Sequence, residues 1–114
     1  MGDTDNMLSL LESYLEPSDE EVARTIADDF RRRRVEKGLT REAVAELAGV
    51  VPANVARFEQ KGLISLKNLI RLAAAMGYTG ELQGVFATPK YATMDELTLI
   101  RRNTGKKRAR ACKQ

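Results

Sequence analysis

Apolar residues recur three and four positions apart along most of this 114-residue chain, the period of an α-helix with one buried stripe. Met7, Leu8, Leu11, Tyr14 and Leu15 fit that period and stop before Pro17, since the residue preceding a proline disfavours the α region. A helix this short does not hold itself together in water, so it packs on its own domain, on a second protomer or on a partner. Ser18 with Glu21 has the form of a capping box and opens a second helix. That helix runs through Val22, Ile26, Ala27 and Phe30 and ends near Gly38. Thr40 is placed to cap a third, with Val44, Leu47 and Ala48 facing inward and Ala43 and Ala45 allowing close packing. Gly49 gives the backbone freedom for a tight turn. Pro52 suits the first position of the next helix, where its missing N–H is not needed. Val55 and Phe58 anchor that helix, Ala53, Asn54, Arg57, Gln60 and Lys61 share its other face, and Gly62 ends it. Ser65 caps a fifth helix whose buried side is expected to be Leu66, Leu69, Ile70, Ala73 and Met76, closed by Gly77.

After Gly77 the period changes. Leu82, Gly84 and Phe86 alternate with Gln83, Val85 and Ala87, which predicts one short strand. A lone strand is unstable, so Leu82, Val85 and Phe86 are expected to pair with the same strand of a second copy or with a different protein. Thr93 and Glu96 repeat the capping-box pattern ahead of a short helix to about Asn103. The remainder, ending KKRARACKQ, is basic with no apolar pattern and is read as a disordered tail that lies along phosphates or merely solubilises the end. The expected organisation is an acidic amphipathic helix over 1–17, a helical domain over 18–78, a strand and short helix for dimerisation or partner binding over 79–103, and the basic tail over 104–114. The fold class is mainly α, a compact helical bundle, with the one strand paired across a dimer.

Charge sharpens this picture. Residues 1–30 carry a net charge of −8 and residues 31–114 a net +11, so a basic body with an acidic head points to a polyanionic partner. The four arginines Arg31–Arg34 cannot all face one way on a helix, so at least one points towards neighbouring helices while others face solvent or phosphate. Histidine is absent and Cys112 is the only cysteine, which leaves no Cys/His metal site and no internal disulfide and suits a reducing cytoplasm. No apolar run approaches the ~20 residues of a membrane span, and the acidic N-terminus does not read as a secretory signal. Serines sit at caps or exposed helix positions and no Gly-rich phosphate loop is present, so an enzyme is not expected, nor any cofactor.

The stretch Leu39–Gly62 therefore reads as a helix-turn-helix, with the segment from Pro52 to Lys61 free to enter a DNA major groove. Its context, Arg34, Gly38-Leu39-Thr40-Arg41-Glu42, Ala45, Leu47-Ala48-Gly49-Val50, Val55, Arg57-Phe58-Glu59, Gly62 and then Leu69 to Gly77, resembles the Cro/cI-type (XRE-like) helix-turn-helix family. The resemblance implies a lambda-repressor-like bundle. It also implies that Thr40 and Arg41 touch backbone phosphate and that Ala53, Asn54 and Arg57 read or flank base edges. Arg34 and Glu59 match a structural ion pair linking the first and third family helices. The chain departs from the family at Val51-Pro52, where a Ser or Thr cap is usual, so Pro52 and Ala53 offer few hydrogen bonds to bases. Specificity then rests on Arg57, which can grip guanine O6 and N7, assisted by Asn54 and a methyl contact from Ala53. Affinity rests on Lys61, Lys67, Arg41 and the arginine run. The implied function is a homodimeric repressor of transcription that binds double-stranded DNA. The region beyond Gly77 looks like that of antitoxin-type members, which makes neutralisation of a toxin partner, with autoregulation of its operon, the alternative.

Overall fold

The computed structural model describes residues 7, 8, 11 and 15–112, with side chains described up to residue 106. Most of the expected N-terminal helix lies outside them; its described apolar members, Met7, Leu8, Leu11 and Leu15, are helical and exposed. The chain divides into two units, Met1–Thr79 and Gly80–Gln114.

In the first unit four helices follow one another: α1 (Asp19–Glu36), α2 (Arg41–Ala48), α3 (Pro52–Lys61) and α4 (Leu66–Met76). Each begins and ends where local chemistry directs. Ser18 Oγ accepts from the Glu21 amide while the Glu21 carboxylate accepts from the Ser18 amide, completing the capping box of α1. Thr40 and Ser65 accept from the amides of Ala43 and Asn68 at the starts of α2 and α4. α2, α3 and α4 all end on a glycine in the left-handed region, Gly49, Gly62 and Gly77. Gly62 is doubly constrained, since φ is +69° and a Cβ there would stand 3.2 Å from the Ala23 Cβ of α1.

α1 packs on α3, and α2 packs on both α3 and α4. Between them lies a core of Ala27, Val44, Ala45, Val55, Phe58, Leu72 and Met76, ringed by Phe30, Leu39, Ala48, Val50, Ile64, Leu69 and Ala75. The Phe30 and Phe58 rings meet at 5.4 Å in a tilted arrangement. Three inward assignments from the periodicity are corrected. Leu47 is 65% and Leu66 70% exposed, because the inner face of α2 is Val44, Ala45 and Ala48, and that of α4 is Leu69, Leu72, Ala73 and Met76. Leu72, fully buried, takes the place expected of Leu66 and Ile70. Val22 and Ile26 of α1 are likewise exposed.

No strand exists among the described residues. Where Leu82, Val85 and Phe86 suggested one, α5 (Thr79–Gln83) is followed by a turn. The amides of Gly84, Val85 and Ala87 donate to the carbonyls of Gly80, Leu82 and Gly84, so local turns use the donors that a sheet ladder would need. Leu82 is half-buried, Val85 exposed, and Phe86 is 97% exposed at φ +64°, a left-handed conformation unusual for a bulky residue. α6 (Met94–Cys112) opens with Thr93 Oγ1 accepting from the Glu96 amide, and the Glu96 carboxylate accepts from the Ala92 amide rather than from that of Thr93. It continues to Cys112 instead of ending near Asn103, so the disordered tail expected from residue 104 is corrected through Cys112. Lys, Arg and Ala are good helix formers, and no proline interrupts the run.

Candidate nucleic-acid interface

The turn Gly49–Val51 sets α3 across α2, leaving one side of α3 on the core and one side free. Val55, Phe58 and Glu59 are the buried positions of α3. Pro52, Ala53, Arg57 and Lys61 are exposed and Asn54 is half-buried, all on positions that the core does not use. Val51 supplies no side-chain cap and Pro52 occupies the first turn, the departure expected from the sequence. Thr40 is exposed at the head of α2, and Lys67 is exposed in the first turn of α4. An open groove of about 390 Å³ runs beside α3, lined by Asn54, Arg57, Leu63, Ile64, Ser65 and Asn68. Asn68 and Ser65 were not singled out for this face by the periodicity, because Ser65 was explained as a cap and Asn68 carries no pattern of its own.

What holds α3 in this attitude is a cluster of guanidinium groups. Arg34 reaches from α1 to Glu59 in a two-pronged pair, Nε to Oε2 at 2.6 Å and Nη2 to Oε1 at 2.8 Å, and its Nη1 donates to the Leu39 carbonyl at 2.8 Å. The Glu59 side chain is 1% exposed. Burial pushes its carboxyl upward, but hydrogen bonds from Arg34 and Arg41 and their charges outweigh that, so Glu59 sits below the ordinary carboxylate range. The hydrogen bond to Glu59 raises Arg34 against the effect of burial. No buried polar side-chain atom among the described residues lacks a partner.

Arg41, expected to contact phosphate, is partly employed otherwise by the fold. Its Nε donates to Glu59 Oε1 at 3.1 Å and its side chain is 34% exposed, so at least one of its donors is committed inward. Of the arginine run, Arg34 is the member that turns to the interior. Arg32 and Arg33 pair with Asp29 and Glu36 on the surface of α1, contacts that contribute little individually. Arg24, given no role from the sequence, donates from Nη1 to the Glu59 carbonyl at 2.8 Å and from Nη2 to the Gln60 carbonyl at 2.7 Å. Those carbonyls belong to the last turn of α3, where acceptors have no intrahelical partner and a cation meets the negative end of the helix dipole. The only sequence signal was a basic residue in an acidic segment, and its acceptors lie 35 and 36 positions away. Lys37 makes a similar contact, Nζ to the Met76 carbonyl at 3.3 Å, at the end of α4.

Among the described residues no group of His, Cys, Asp and Glu could hold a metal ion, and no helix is long and apolar enough to cross a membrane. No curated protein matches the chain. The family model described as "Helix-turn-helix" matches residues 30–82, a little under half of the chain and the segment that contains α2, α3 and α4. Its members are DNA-binding regulators rather than enzymes. Geometry and family match thus meet on one segment, and residues 30–82 are similar to the Cro/cI-type (XRE-like) helix-turn-helix family of DNA-binding transcription regulators.

Proposed function

We propose that this protein is a sequence-specific repressor that acts as a homodimer in the cytoplasm, blocking polymerase at a promoter. Two copies of α3 would reach half-sites about one helical turn, ~34 Å, apart in the major groove. The observation that carries this reading is the outward face of α3, with Ala53, Asn54, Arg57 and Lys61 free while Arg34 and Glu59 fix the opposite face. Arg57 would read a guanine, Asn54 and Ala53 would assist, and Pro52 would sit against the groove without hydrogen bonding. Thr40, Lys61, Lys67 and the uncommitted part of Arg41 would meet phosphates. A site with so few base contacts would rely on half-site spacing and on DNA shape.

Selection of bound sequences from random duplexes tests this directly. Arg57→Ala is then expected to relax choice at one base position, with a loss of ~1–3 kcal/mol there. Lys67→Ala is expected to weaken every sequence alike. Unchanged discrimination in Arg57→Ala would remove the reading role.

A second reading is an antitoxin that covers a toxin partner and represses its own operon. It is supported by apolar side chains left in water between residues 85 and 99, namely Val85, Phe86, Tyr91, Met94 and Leu99. Co-purification of a small partner protein that is lost on Phe86→Ser would favour it. The two readings are compatible.

A further inference from the structure

α6 changes character along its length. Its first turns carry Asp95, Glu96 and the half-buried Leu97 and Ile100. From Arg101 to Gln114 there are seven basic residues, Arg101, Arg102, Lys106, Lys107, Arg108, Arg110 and Lys113, and no acid. Arg101, Arg102 and Lys106 are exposed, and no salt bridge joins them to a described acidic side chain. Positions 102 and 106 stand four apart on one continuous helix, where like charges repel. Gly105, within the same stretch, weakens the helix further. A helix built this way gains most when a polyanion neutralises it. The twelve helical positions from 101 to 112 extend ~18 Å at ~1.5 Å per residue, and duplex DNA carries a charge every ~1.7 Å of its axis.

We infer that the second half of α6 is a second nucleic-acid-binding element, one that grips DNA phosphates without reading sequence. This rests on the DNA-binding reading above and adds to it a contact outside the family-matched segment. Helix-turn-helix and basic helix then divide the work. α3 chooses the site, and α6 raises affinity for any duplex, so its contribution fades as salt increases.

The test compares the full-length protein with Arg101→Gln/Arg102→Gln/Lys106→Gln on a selected site and on a random-sequence duplex. Three lost phosphate contacts make the slope of log K against log salt shallower by about 2.7. Between about 50 and 200 mM salt the unaltered protein should then lose ~40-fold more affinity than the variant, on both duplexes alike. The preference for the selected site should not change. An unchanged melting temperature would show the variant folded, and Glu at the same three positions should weaken binding further. Identical slopes, with site preference intact, would overturn this inference alone, including where the variant instead loses an acidic protein partner. Failure of the unaltered protein to bind either duplex would overturn it together with the proposed function.

Discussion

The helices of residues 19–76 and the segment 80–106 are built on opposite terms. In the first, α1 to α4 close over seven contiguous buried residues, and every side-chain cap and ion pair agrees with the packing. In the second, no described side chain is buried, Phe86 stands 97% exposed, and the one long helix carries its charge on a single sign beyond residue 100. The first unit closes a core of its own, whereas the second presents its apolar and basic side chains to solvent.

The largest way to break that contrast is to open the core. Phe58→Ala removes a ring that is 2% exposed and packs against Phe30, and a loss of ~3–5 kcal/mol is expected in denaturant unfolding. An unmoved midpoint would show that the bundle is not where stability lies. Acid titration sharpens the same point through Glu59. Its folded pKa is depressed, so its contribution is fully present above the unfolded carboxylate value of about 4.3 and is lost as pH falls through the lower folded value. Stability should therefore drop steeply in that acid window. Glu59→Gln should flatten the drop while costing ~3–5 kcal/mol at neutral pH, because Arg34 keeps its charge in the interior without a counter-ion. At the small end, Phe86→Gly suits the positive φ and removes no packing. The main thermal transition is expected to move by less than ~0.5 kcal/mol.

Legibility followed the same division. Caps at Ser18, Thr40 and Ser65 and stops at Gly49, Gly62 and Gly77 were readable because each is a local exchange between a side chain or glycine and the nearest backbone. The Arg34–Glu59 pair was reachable only through family resemblance, since it joins residues 25 apart. Periodicity misplaced Leu47, Leu66 and Ile70 because an apolar side chain one position off the stripe looks the same in sequence as one on it. The strand gave way to local turns, in which the amides of Gly84, Val85 and Ala87 bond carbonyls three or four positions back, where alternation alone suggested extension. Arg24 and the inward donor of Arg41 were invisible, because their acceptors are brought near by tertiary packing and not by spacing.

Arg24 bears on where the working module begins. The family-matched segment starts at residue 30, yet the guanidinium that fastens the last turn of α3 comes from six positions upstream, beside the alanine against which Gly62 lies. A fragment trimmed to the matched boundaries would retain every outward-facing residue and still release the far end of the helix that bears them. The matched border and the mechanical border differ here by nearly two helical turns, and grafting α3 onto another scaffold would have to respect the mechanical one.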